Sequence, residues 1–204
     1  MTTILPILMC MILFAVVATC FTEGIWSNAV RLINVVTAAL LAVNFFEPLA
    51  RVLDGWQPSY TYLWDFLSLW GLFSVSLLVF RETTDRISKV NVRFLKLADR
   101  IGGVVLSVWI GWVMVCFTLM TLHTAPLGRN FLFGGFLTQT DSKMMFGLAS
   151  PDVEWLAFTQ KMSTGAFAGS EEFDPNAEFM SKYATRRTNL ESHVTAHDSL
   201  LIGP

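Results

Sequence analysis

The chain has 204 residues, 53% hydrophobic and only 15% charged, with seven Trp and seventeen Phe. Soluble domains run near a quarter charged, so this composition excludes a disordered chain and a disulfide-stapled miniprotein. A net charge of -2 leaves no cationic excess for a nucleic-acid binder. The three cysteines (Cys10, Cys20, Cys116) lie in apolar runs at spacings that fit no zinc or redox motif, and are expected to be packed thiols.

Four windows are long enough to cross a bilayer, which takes about 20 mostly apolar residues. Ile4 to Phe21 carries no charge. Met1-Thr2-Thr3 supplies no cationic n-region before it, so this run is expected to stay as an anchor, not to be removed as a signal peptide. Ala29 to Phe46 has Arg31 near its start and Asn34 and Asn44 inside. Tyr62 to Phe80 holds Asp65 in its first turn, and Gly102 to Leu122 is uncharged. Backbone groups in hydrocarbon must bond to one another, and strand alternation is absent, so these runs read as helices. The expected fold is all-α: a four-span polytopic membrane protein over residues 1–127, then an extramembrane tail, 128–204, with two short helices.

Six cations (Arg81, Arg86, Lys89, Arg93, Lys96, Arg100) fall between the third and fourth spans. The positive-inside rule makes that loop cytoplasmic and puts both termini outside. Tyr60, Tyr62, Trp64 and Trp70 suit an aromatic belt at the outer interface. Arg86, Lys89, Arg93, Lys96 and Arg100 recur every three or four residues, and Ile87, Val90, Phe94, Leu97 and Ile101 repeat the spacing one position later. That pattern predicts a basic interfacial helix before the fourth span, its cations toward anionic lipid headgroups or a protein partner. The fourth span then places Gly103, Ser107 and Gly111 four residues apart, and the second has Ala38, Ala39 and Ala42. Small residues at this spacing let helices approach closely, and these are read as packing faces within the bundle. Asp99 is expected to cap the helix it opens, with Arg100 reaching headgroup phosphate.

This layout resembles the CvpA family, the colicin V production protein family of bacterial inner-membrane proteins. The likeness covers roughly Ile4 to Leu127 and rests on Gly24 in the first turn, Asp99-Arg100, Gly103 and Gly111. Ser107 replaces a usual Gly, Ile110 stands where Arg is frequent, and Glu23-Gly24 replaces Arg-Gly. The resemblance implies a part in colicin V production or export and in envelope integrity, with no catalytic residues and no cofactor.

The tail opens with Phe131–Leu137, apolar but too short to span. Ser150-Pro151-Asp152 predicts a helix start, running to about Met162. Asp174-Pro175-Asn176 predicts a second, with Gly165–Ser170 as a joint between them and fraying from Thr188 onward. These helices are expected to cover the outer end of the bundle or dock on a partner. No nucleophile elbow, phosphate loop or His-Glu-x-x-His motif occurs. His193 and His197 sit four apart in a polar tail without cysteine and are read as no metal site; His123 reads as an interfacial side chain. Asp65 is the one acid inside a span, close enough to its start to reach water. A non-enzymatic accessory or scaffold protein follows, with lipid, envelope proteins or another copy of itself as partners. The alternative is a small oligomeric channel or transporter with Asp65, Asn34 and Asn44 along its path.

Overall fold

The computed structural model describes residues 4–88, 95–127, 150–165 and 173–201, with side chains to Val194. The expected segments Phe131–Leu137 and, beyond Gly165, the joint to Ser170 lie outside these residues. Among the described residues six α-helices follow in order: α1 (Ile4–Cys20), α2 (Ile25–Trp56), α3 (Thr61–Ile87), α4 (Lys96–Thr124), α5 (Pro151–Ser163) and α6 (Phe179–Leu201). A single 3-10 turn, Pro58–Tyr60, joins α2 to α3.

Three helices are long and apolar enough to cross a membrane: α2, α4, and α3 together with its leading turn. The apolar α1 is shorter, at 17 residues. The long helices overrun the apolar windows at both ends: α3 continues through Thr83 and Thr84 with no Gly or Pro to stop it, and α2 continues through Arg51 and Asp54 although Pro48 lies within it. Large apolar side chains remain exposed all along the bundle: Phe14 is 75% exposed, Ile33 65%, Leu78 66% and Trp109 63%. A soluble monomer rarely shows so much continuous apolar surface, whereas a bilayer solvates it.

The helices α1 to α4 run alternately up and down. Trp70 of α3 donates from Nε1 to Thr121 Oγ1 of α4 at 3.2 Å, and Phe73 stacks on Phe117 at 4.5 Å, an antiparallel register. The core lies between α2, α3 and α4, where Ala38, Ala39, Ala42, Phe46, Leu69 and Phe117 are fully buried. A smaller apolar cluster seats α1 on α4 through Leu5, Met9, Val115 and Leu119. The alanine face of α2 therefore packs inside the bundle, as its spacing predicts. Trp70 is half-buried and packs against this core. Cys20 and Cys116 are buried, but Cys10 is exposed on the free face of α1, so it is not a packed thiol.

No single basic helix runs from Arg86 to Arg100. Arg86 sits in the last turn of α3, Ser88 leaves helical geometry at ψ 62°, and Leu95 is extended at ψ 129° before α4 begins at Lys96. The chain must reverse between two antiparallel helices, and that reversal interrupts the helix that the spacing predicts. Lys89 and Arg93 lie outside the described residues.

The tail packs on the bundle. Helix α5 lies against α4 and touches α2, with Trp155 edge-on to Phe117 at 6.3 Å. Helix α6 starts at Phe179, later than its Asp-Pro-Asn signal. Asp174 adopts a left-handed φ of 48°, and its Oδ1 accepts the amides of Glu178 (2.7 Å) and Phe179 (3.1 Å). The helix continues to Leu201 where fraying was expected from Thr188. That stretch is polar but free of Gly and Pro, so no helix breaker ends it.

Candidate functional site

Polar side chains gather at the two ends of the bundle. At the first end the α1–α2 turn meets the start of α4, and the joint is made at backbone separations only glycine allows. A Cβ on Gly103 would lie 2.5 Å from the Glu23 carbonyl oxygen, and one on Gly24 would lie 2.7 Å from the Asp99 carboxylate. Farther along α4, a Cβ on Gly111 would meet Leu13 of α1 at 2.7 Å. Ser107, fully buried between them, turns its hydroxyl back to Val104 O at 2.7 Å. The small-residue stripe of α4 is thus the seat of α1 and its turn.

Close approach strands backbone groups that need partners, and two side chains supply them. Asp99 does not cap its own helix. Its Oδ1 accepts the Ile25 amide at 2.8 Å, so a carboxylate on α4 caps the N-terminus of α2 across 74 residues of sequence. Gly24, the N-cap residue, has no side chain with which to do so. Asp99 meets the positive end of the α2 dipole, the most favourable place for its charge. Asn28, fully buried, donates from Nδ2 to Cys20 O (3.0 Å) and to Gly103 O (2.9 Å), tying the end of α1 to α4. Sequence reading missed Asn28; its one signal was an amide at the start of an apolar helix, where polar groups act as helix–helix glue. Arg31 turns back to Glu23 at 3.5 Å and to Cys20 Sγ at 3.1 Å.

Beside this joint a cavity of about 360 Å³ opens between Phe21, Glu23, Gly24, Asp99, Lys96 and Arg100. Lys96 and Arg100 are exposed at its rim. Arg86 is exposed too, but it is engaged with Glu82 on its own helix at 2.8 Å. Of the expected basic stripe, then, Lys96 and Arg100 share a cavity and Arg86 stands on a different helix.

The opposite end is built on charge. Asp65 does not reach water: its side chain is 8% exposed and meets Arg186 of α6 at 2.6 Å. Arg186 also donates to Thr61 O and lies over the Tyr62 ring, and Lys182 pairs with Glu47 at 2.6 Å. Tyr183 lies near Asp65; burial first, and then the Asp65 carboxylate, push its phenol well above the ordinary tyrosine range. His123 is not interfacial either. It is fully buried at the end of α4, where Nε2 lies 2.9 Å from Oδ2 of an equally buried Asp152 on α5. The polar residues of the suggested path are held in separate joints: Asn34 on Thr84 (2.9 Å), Asn44 on Leu40 O of its own helix (2.8 Å), Asp65 on α6. Among the described residues no three His, Cys, Asp or Glu side chains group to hold a metal.

The comparisons with known proteins fit the first end. The family model described as colicin V production protein matches residues 5–146, more than half the chain. That span takes in the whole Gly24–Asp99–Gly103–Gly111 joint but stops short of α5 and α6. Neither a curated protein nor a solved structure matches significantly. With its membrane-length helices and the joint built on the motif residues, the chain belongs to the colicin V production protein family.

Proposed function

We propose that the protein is a non-enzymatic accessory or scaffold protein of the bacterial inner membrane, serving toxin production or export and envelope maintenance. In this reading α1 crosses the bilayer with α2, α3 and α4, the basic segment 81–100 faces the cytoplasm, and both termini lie outside. The carrying observation is how the family residues are used. Gly24, Asp99, Gly103, Ser107 and Gly111 are consumed in fixing α1 and its turn to α4, and Lys96 and Arg100 are left exposed at the adjoining cavity. A rigid joint that presents cations at one membrane face suits the holding of anionic headgroups or an envelope partner. Lys96 and Arg100 make that contact at the cavity, and Arg86, Lys89 and Arg93 of the same basic segment add to it.

The test is in-cell crosslinking of the tagged full chain, capture in mild detergent and identification of its companions. Replacing Arg86, Lys89, Arg93 and Lys96 by glutamine should weaken a reproducible envelope partner or the co-purification of anionic lipid. Unchanged association would refute the reading. Recovery of self-crosslinked species alone would favour an oligomeric channel, to be followed by flux measurements in proteoliposomes.

A further inference from the structure

A second cavity, of about 290 Å³, lies on the side of the bundle beneath α5, walled by Leu32 and Val36 of α2, Trp109 and Trp112 of α4, and Trp155 and Phe158 of α5. Its lining is almost wholly apolar, and three tryptophans and a phenylalanine make up much of it. Trp155 and Phe158 are tilted against each other with centroids 5.5 Å apart. One carboxylate, Glu154, shares this lining, and no cation among the described residues pairs with it.

Leu32, Val36, Trp109 and Trp112 all belong to helices long enough to cross a membrane, so an apolar chain in this cleft keeps its ordinary surroundings. Glu154 stands two residues from Asp152, which is fixed to His123 near the end of α4. The cleft therefore runs from a polar end, marked by Glu154, toward the middle of α4 at Trp109. Glu154 is exposed at the mouth of this apolar wall, where its charge is open to a cation carried by an amphiphile. Aromatic faces attract ammonium groups as well, through their quadrupoles, most strongly when the site is desolvated. Charge complementarity thus selects an amphiphile with one apolar chain in the cleft and an ammonium head at Glu154.

We propose that this cleft binds an aminophospholipid, its ammonium on Glu154 and part of one acyl chain between Val36, Trp109 and Phe158. The inference is independent of the accessory role proposed above, because none of these residues belongs to the basic segment or to the α1–α4 joint.

The test uses the full chain, purified in detergent, delipidated, and given equal amounts of phosphatidylethanolamine and phosphatidylglycerol, with retained lipid counted by native mass spectrometry. Phosphatidylglycerol has the same chains and phosphate but no nitrogen. The wild type should retain phosphatidylethanolamine over phosphatidylglycerol by about fivefold or more. Glu154→Gln, isosteric and at an exposed position, should bring that ratio close to one. Phe158→Ala, also at an exposed position, should reduce the retained phosphatidylethanolamine while leaving a preference for it. Equal retention of the two lipids by the wild type, or an undiminished ratio in Glu154→Gln, would overturn the proposal.

Discussion

Replacing Gly103 by alanine tests the α1–α4 joint at its tightest point. The new Cβ would sit 2.5 Å from the Glu23 carbonyl oxygen, against 3.4 Å for ordinary contact, so the turn must retreat by about 0.9 Å. Glu23 O is backbone and cannot swing aside as a side-chain tip can. The same retreat would stretch the Asn28–Gly103 bond from 2.9 Å to about 3.8 Å, past hydrogen-bonding range. Overpacking together with the strained hydrogen bond costs about 2–3 kcal/mol. Alanine returns about 1 kcal/mol in helix propensity, leaving a net loss of about 1–2 kcal/mol. Gly71→Ala is the matched comparison, since nothing lies within 4 Å of its Cβ and only the propensity gain applies. Cys20 is the reporter: 3% exposed and at the end of α1, it reacts with maleimide only when the joint opens. In a Cys10→Ser background, Gly103→Ala should speed labelling of Cys20 by about 5- to 30-fold and lower the melting temperature in detergent. Gly71→Ala should leave labelling alone and hold or raise the melting temperature. Wild-type labelling and melting in Gly103→Ala would show that the turn is not seated on α4 as described.

Further outcomes follow from the same contacts. Asn28→Leu strands two buried carbonyls, Cys20 O and Gly103 O, and should cost about 3 kcal/mol, read as a lower melting temperature and faster Cys20 labelling. Asp65→Asn and Arg186→Gln each leave one member of a buried ion pair without its partner and should each release α6 to limited proteolysis, at about 3 kcal/mol. The double variant should recover part of that loss, because no charge is then stranded; a strictly additive loss would deny the pairing. The Tyr183 phenol is raised by burial, so the folded state holds its proton more tightly than the unfolded chain does. Its contribution is complete below the unfolded value near pH 10 and falls as pH rises beyond it, so α6 should come loose in alkali. Tyr183→Phe should remove that alkaline sensitivity, measured by proteolysis across pH 8 to 11.

The spanning helices were legible because uninterrupted apolar length is a one-dimensional property, and the alanine and glycine faces because a spacing of four places residues on one side of a helix. Partners were not legible, because they are set by distance in space. Asp99 stands in the first turn of α4, and local sequence favours a cap on its own helix, yet its carboxylate meets the amide of Ile25. Asp65 looked able to reach water from its first turn until α6 covered it with Arg186. The clue was present, since an acid inside an apolar window calls for a cation and the tail offers only a few. The basic stripe shows the opposite failure. Its periodicity is unbroken from Arg86 to Arg100 and no Gly or Pro interrupts it, but helices that pack antiparallel require a reversal that periodicity does not encode.

The two ends of the bundle divide the work of holding it together by different means. At the first end, backbones touch, and the polar groups left over are satisfied by short side chains, Asp99 and Asn28, that reach no farther than the next helix. Such a joint tolerates almost no displacement, and its glycines lie within the part of the chain that matches the family model. At the other end, long charged side chains, Arg186 to Asp65 and Lys182 to Glu47, flank a buried apolar contact made by Phe179, Met180 and Tyr183. Ion pairs of this kind add little net stability over apolar packing but penalise wrong arrangements, because any misplaced helix strands a charge. Helix α6 lies beyond the family match; it docks by burying Phe179, Met180 and Tyr183 in the main core, and the charge pairs on both sides of the contact fix its register. It follows that exchanging the charges of Asp65 and Arg186 should be tolerated far better than deleting either one, whereas no exchange of side chains can rescue a Cβ at position 103. A swapped Asp65→Arg/Arg186→Asp variant as protease-sensitive as Arg186→Gln alone would show that geometry, not charge, selects the seat of α6.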